Sequence, residues 1–210
     1  FIVSFWGMES SYGSYMGNFP VIKSLATLAY DSKRPEFFRK QLFIALKIVN
    51  DGHVSLDKFK GEWAGASGQP QFLPSSWVKF AVDYDGDGRK DIWDSKPDVF
   101  ASIANYMKQN GWQYHEPWAI YVTLPTNFNE ALEGKKTTKL VSEWTKLGVR
   151  TTHGEPLPFP HLKASIIKPF GGPVFLAYPN YKMILRYNNS IYYAGAIGYM
   201  ADKICQRRND

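Results

Sequence analysis

The chain has 210 residues, enough for one sizeable core or a core with a subdomain. It is 44% hydrophobic and 21% charged, the composition of a globular protein, and no apolar run reaches the length of a membrane span. The net charge of +6 suits a polyanionic partner, but the basic residues are scattered and form no nucleic-acid stripe. Aromatic content of 16%, with seven Trp and thirteen Tyr, serves core packing first and sugar stacking second. The single cysteine, Cys205, excludes an intrachain disulfide. The chain starts inside an apolar run without Met, so we read it as a fragment of a longer precursor.

That opening run, Phe1 to Tyr12, holds one carboxylate, Glu9, and no basic residue. A helix is expected over residues 1–12, with Gly13 and Gly17 as stops. On such a helix Phe5, Trp6 and Tyr12 share the face of Glu9. Apolar neighbours and the negative end of a helix both disfavour a charged carboxyl. A carboxyl kept protonated near neutral pH is what a general acid requires. A glutamate at the edge of a buried helix, reaching water, is the plainer alternative.

A second helix is expected from Asn18-Phe19-Pro20, with Val21, Ile22, Leu25, Leu28 and Ala29 as its apolar set. A third spans Glu36 to Asn50 and ends at Asp51-Gly52. Lys60 to Ser76 has neither helical nor strand period and is rich in Gly, small residues and Pro, which permit close backbone approach to a ligand. Within it the Gln71 amide can both donate and accept, as sugar hydroxyls or an acetamido group require. Ser75 is positioned to cap a short helix running to Val82.

Asp83 to Asp94 has the order of a calcium loop. Asp83, Asp85, Asp87, Asp91 and Asp94 stand at positions 1, 3, 5, 9 and 12, Gly88 at the sharp turn, and Arg89 at position 7 offers its carbonyl. Asp94 has a shorter arm than the usual Glu, and Lys90 takes a position that is normally apolar. Calcium here would be structural, tying a loop between two helices. A solvated acidic turn is the alternative. The next helix starts at Pro97 and stops at Gly111.

From Trp112 the texture changes. Strands are expected at 118–124, 164–168, 174–177 and 183–186, and short helices at 130–133 and 140–147. His53, His115, His153 and His161 have no metal-ligand spacing. Asn189 or Ser190 then caps a last helix of small residues. The fold class is α+β, mainly α. Residues 1–115 form a helical core, 116–182 a small β-containing subdomain, and 183–210 a C-terminal return to the core.

Four blocks, in order and over nearly the whole chain, carry a resemblance: Trp6-Gly7-Met8-Glu9-Ser10-Ser11-Tyr12-Gly13; Trp63 to Ser76; the Asp83–Asp94 loop; and Arg186-Tyr187-Asn188-Asn189-Ser190 with Tyr193-Ala194. Together they resemble the MltB-type lytic murein transglycosylases, a lysozyme-like family that cuts peptidoglycan. The resemblance implies a lysozyme-like catalytic core, Glu9 as sole acid/base, and Gln71, Tyr187, Asn188 and Tyr193 around it, with Tyr12 and Glu62 as further substrate-binding candidates. It implies an EF-hand-like Ca²⁺ site, glycan strands of peptidoglycan as partner, a monomer, and a place in the periplasm or cell envelope, with membrane anchoring only through a preceding segment. Where that family has Ser before the Trp-Ala-Gly-Ala run, this chain has Glu62. A hydrolytic muramidase with Glu62 orienting water, or a catalytically silent peptidoglycan-binding protein, are the rival readings.

Overall fold

Helices dominate the first unit, Phe1–Gln109, of the computed structural model, which describes residues 1–206. The first helix, α1 (Ile2–Ser10), is followed by a two-residue strand, β1 (Phe19–Pro20), and α2 (Val21–Tyr30). The second helix therefore starts later than Asn18. Phe19 and Pro20 pair instead with β2 (Lys60–Gly61), antiparallel, and Val21 donates its N–H to Phe59 O at 3.1 Å. Pro20 cannot donate, and an edge pair of this length asks little of it.

Helix α3 (Pro35–Asn50) packs along α2 and has Pro35 in its first turn, where a missing N–H costs nothing. Helix α4 (Pro74–Phe80) likewise begins on a proline. Its N-cap is Leu73, so the expected Ser75 cap is corrected: Ser75 lies inside the helix and donates its N–H to Oε1 of buried Gln41 at 2.9 Å. Helix α5 (Lys96–Gln109) closes the unit. Phe5, Leu25, Ile48, Phe59, Ile92 and Ile103 are buried in its core.

The second unit begins at Asn110 and includes the chain from 183 onward; positions 207–210 of the expected C-terminal return lie outside the described residues. Its five-stranded antiparallel sheet comprises β3 (Ala119–Thr123), β4 (Lys139–Leu140), β5 (Arg150–Thr151), β6 (Lys163–Ile167) and β7 (Phe175–Ala177), in the order β4-β6-β7-β3-β5. Ala119 faces Ala177 and Ser165 also faces Ala177, so β7 lies between β6 and β3. Helix α6 (Val141–Lys146) covers this sheet with Trp144, which is fully buried and donates its indole N–H to Ala164 O at 3.0 Å. Residues Glu130–Leu132 form a 3-10 turn capped by Asn129.

One expected strand is a helix. Residues 183–186 lie inside α7 (Pro179–Tyr187), with Asn180, Tyr181, Met183, Ile184 and Leu185 buried. Pro179 pre-sets the first turn, and burial at 180, 181, 184 and 185 follows a helical period. The last helix, α8 (Ile191–Gln206), is capped by Ser190, whose Oγ accepts from Tyr193 N at 3.3 Å.

Candidate active site and acidic loop

Glu9 stands in the last turn of α1 and is half-buried. Phe5, one turn earlier, is fully buried, and Trp6 is half-buried. Because α1 stops at Ser10, Tyr12 does not continue its face as a longer helix would require. The backbone turns left-handed over three residues: Ser11 has φ 48°, Tyr12 φ 61° and Gly13 φ 83°. A side chain makes that conformation cost about 1–2 kcal/mol per residue. Ser10, buried, braces the turn by accepting from Gly13 N at 3.0 Å and donating to Trp6 O at 3.1 Å. The turn brings the Tyr12 ring back over the helix, edge-on to Trp6 at 5.4 Å between centroids. It lies where Gly7 has no side chain: a Cβ there would sit 2.8 Å from two Tyr12 ring carbons.

The segment from Lys60 to Phe72, irregular in its period, is folded tightly by its own backbone. Ser67 and Phe72 exchange two hydrogen bonds at 3.0 Å, and Glu62 N reaches Ala66 O at 2.8 Å. Gly17, at φ 88°, lies so close that a Cβ would meet the Gly61 carbonyl carbon at 2.2 Å. Glu62, half-buried, is thereby set next to the chain that leaves α1. Gln71 also has a left-handed backbone, φ 51°. Its Nε2 donates to Met16 O at 3.1 Å and to Gly68 O at 2.9 Å. Its Oε1 is buried with no hydrogen-bond partner among the described residues. The amide expected to donate and accept has thus committed its donor and keeps one acceptor. Leaving that acceptor unmet costs about 1–3 kcal/mol.

In the acidic loop the structure brings Asp83, Asp85 and Asp87 together, with carboxylate oxygens all within 4.8 Å of one another. Asp83 also accepts from Gly86 N at 2.8 Å and Gly88 N at 3.0 Å, so the loop wraps around its first carboxylate. Asp91 is occupied differently: its Oδ1 accepts from Trp93 N and Asp94 N, each at 2.9 Å. Asp94 pairs with Lys58 at 2.8 Å. Arg89 turns its side chain onto Asp87, and its own N–H first, with the guanidinium, holds that carboxyl below the usual range. Three clustered carboxylates are hard oxygen donors suited to a divalent cation.

Tyr187 and Asn188 end α7 in the second unit. Asn188 Oδ1 accepts from Ser190 N at 3.2 Å, and the neighbouring Asn189 Oδ1 accepts from Lys135 Nζ at 2.5 Å. Tyr193, half-buried, sits in the first turn of α8. These bonds fix the α7–α8 corner on which the three residues stand.

Residues 1–202 match the family described as the transglycosylase SLT domain. This chain belongs to that family. The SLT domain is 32% identical to membrane-bound lytic murein transglycosylase B of Escherichia coli over 99% of its own length and 57% of that protein's. It superposes on SltB3 from Pseudomonas aeruginosa in complex with NAG-anhNAM-pentapeptide at a TM-score of 0.93, with 48% identity, covering 96% of this chain and 55% of that one. The Escherichia coli lytic transglycosylase Slt35 in complex with calcium gives a TM-score of 0.87 and 31% identity over 100% of this chain and 66% of that one. The SLT domain thus spans little more than half the length of the first two relatives.

Two buried polar residues that brace these segments are not singled out by the sequence reading. Asp98, fully buried at the start of α5, accepts from Tyr84 N at 2.8 Å and Asp91 N at 2.8 Å, on separate oxygens. A carboxylate in the first turn of a helix is ordinary, and nothing local shows that it reaches back into the acidic loop. Gln69, 6% exposed, accepts from the Trp6 indole at 2.7 Å and donates to Trp93 O at 2.7 Å. The available signal was Trp6 itself, since a buried indole N–H needs an acceptor.

Proposed function

We propose that this SLT domain is the catalytic part of a lytic transglycosylase that cleaves the β-1,4 bond between N-acetylmuramic acid and N-acetylglucosamine in peptidoglycan, with Glu9 as its single acid/base. The observation that carries the reading is Glu9 itself. It is the one carboxylate before Asp31, it lies in the last turn of α1, and the strained turn after it is braced from inside. SltB3, a relative crystallised with two disaccharide-pentapeptides, one of them in the anhydro form, supplies the substrate class.

The chemistry follows from one carboxyl used twice. Protonated Glu9 gives its proton to the glycosidic oxygen, and the bond from that oxygen to C1 of the muramic residue breaks. The substrate's own 2-acetamido oxygen supports the cation at C1, the task a second carboxylate takes in two-carboxylate glycosidases. Ionised Glu9 then removes the proton of the muramic C6 hydroxyl. That oxygen closes on C1, leaving a 1,6-anhydro end, with no water consumed and Glu9 protonated again. The unmet acceptor of Gln71 suits a sugar N–H or hydroxyl, and Tyr12 offers a ring to stack on. Tyr187, Asn188 and Tyr193 serve glycan binding from the second unit, and Glu62 is a further polar contact.

For the acidic loop we assign Asp83, Asp85 and Asp87, with the Arg89 carbonyl, as ligands of a structural Ca²⁺. Asp91 and Asp94, the remaining ligands of the twelve-residue pattern, would have to leave their present partners to join them. Calcium supplies charge neutralisation to the loop and takes no part in the proton transfers. The envelope is the compartment such a substrate demands.

The test is turnover of purified sacculi. Glu9→Gln keeps the shape and removes the proton donor, so solubilisation should stop while the fold persists. Mass spectrometry of the products should show anhydro ends. Products heavier by one water would assign hydrolysis, with Glu62 orienting it, and binding without turnover at any pH would make the domain a silent glycan binder.

A further inference from the structure

The last turn of α1 needs an external reference if Glu9 is to meet a glycosidic oxygen reproducibly, and the structure supplies one in Gln69. This side chain is almost fully buried, and every polar atom it has is engaged. Its Oε1 accepts from the Trp6 indole at 2.7 Å. Its Nε2 donates to Trp93 O at 2.7 Å, and its main-chain N donates to Ile92 O at 2.9 Å. These partners settle which way the amide points, because the reverse orientation would face a donor with a donor and an acceptor with an acceptor.

The amide bears on both sides of Glu9. Trp6 lies three residues before it, on the same face of α1. Gly13 lies just beyond, and a Cβ on Gly13 would come within 2.6 Å of the same Gln69 Oε1. The amide oxygen therefore backs the end of the left-handed turn while its lone pair holds the indole. The Trp6 ring is boxed in further by Phe100 edge-on at 5.1 Å and Tyr12 edge-on at 5.4 Å, with Lys96 Nζ 5.8 Å above it. A roll or slide of α1 would break the indole bond before it broke any apolar contact, because hydrogen bonds are the more directional. The other end of Gln69 is fixed to residues 92 and 93, near the end of the acidic loop.

We propose that Gln69 is a positioning residue for the acid/base: it sets the place of the Glu9 carboxyl through Trp6 and the Ser11–Gly13 turn, without touching the reacting atoms. The proposal rests on the reading of Glu9 given above. Misplacement of a reacting group by about 1 Å costs on the order of a hundredfold in rate. Gln69→Met keeps volume and loses both side-chain hydrogen bonds. It should lower kcat by about ten- to a hundredfold with a much smaller change in KM, since the glycan-binding side chains other than Tyr12 stay in place. Trp6→Phe removes the indole donor and should give the same split. The double variant should fall no further than the worse single one, since both cut one link.

The assay is release of anhydro product from sacculi, with melting followed in parallel. If Gln69→Met melts lower but turns over at the wild-type kcat, the residue is structural only and the inference fails. Should Gln69→Met not fold, Trp6→Phe decides, and a wild-type kcat there overturns it equally. Rate losses that multiply in the double variant also overturn it. A wild-type protein that makes no anhydro product fails the reading of Glu9 first and takes this inference with it, a result plainly different from the others.

Discussion

Gly7→Ala separates the stability of α1 from the geometry of its site. Gly7 is inside the helix with no left-handed φ, so Ala should favour the helix by about 0.5–1 kcal/mol. Against this, the new Cβ would lie 2.8 Å from two carbons of the Tyr12 ring and 3.0 Å from its hydroxyl. Carbon pairs settle at roughly 3.5–4.0 Å, so the ring has to move by something near 1 Å. Tyr12 is 52% exposed and has open solvent to move into. Leaving costs the edge contact with Trp6, about 0.5–1.5 kcal/mol. The two effects are of similar size and opposite sign, so the unfolding free energy should stay within about 1 kcal/mol of wild type. Turnover should nevertheless drop, by a factor close to that of Tyr12→Ala, because both variants take the ring away from Trp6 and the turn that follows Glu9. The measurements are urea unfolding and the sacculus assay on the two variants together. A loss of more than about 3 kcal/mol would mean that the ring is locked and cannot yield, as in an overpacked core. Wild-type turnover in a stable Gly7→Ala protein would remove Tyr12 from the site.

The acidic loop should respond to calcium in protein first stripped by chelator: at a hundredfold excess over Kd the fold should gain about 2.7 kcal/mol, read as a rise in Tm. Mg²⁺ should give less, since it prefers tight octahedral geometry, and Asp87→Ala should abolish the rise; an equal Mg²⁺ shift would reduce the loop to an acidic turn. Asp202 makes a pH-dependent contribution. Burial raises its pKa above the ordinary 3.8, against the opposing hydrogen bond from the Trp118 indole at 3.1 Å. The fold therefore favours the protonated form, and the stability tied to it is complete below the unfolded pKa and lost as pH rises through the folded one. Asp202→Asn keeps an acceptor without a charge, so it should melt higher than wild type at pH 7 and equally at pH 3; an equal difference at both would refute the charge as cause.

What the sequence shows of this protein is what is local. Helices α2, α3 and α5 follow their apolar spacing and their prolines, and the single carboxylate of α1 is visible at once. The run Met183-Ile184-Leu185-Arg186 is too short for periodicity to separate strand from helix, and Pro179, the better signal, lies outside it. Ser11 and Tyr12 are types that seldom take a left-handed backbone, so the early end of α1 cannot be read from them. Gln69 and Asp98 were illegible for another reason. The partner of Gln69 is 63 positions away and that of the Asp98 side chain 14, so their roles exist only once the chain has folded. The acidic loop shows the same limit in reverse: spacing marks five aspartates, and only their neighbours decide that three of them meet.

Three of the four described non-glycine residues with left-handed backbone, Ser11, Tyr12 and Gln71, lie in the turn that follows Glu9 and in the segment hydrogen-bonded to Trp6 and Met16. Glycine at any of them would relieve strain of about 1 kcal/mol or more. Selection for heat resistance alone should therefore reach these positions early, and selection for the proposed glycan cleavage should return them. The neighbourhood of Glu9 is where the two pressures oppose each other, and a lineage of this domain adapting to higher temperature has to find its added stability elsewhere, in the helices and sheet that the chemistry leaves alone.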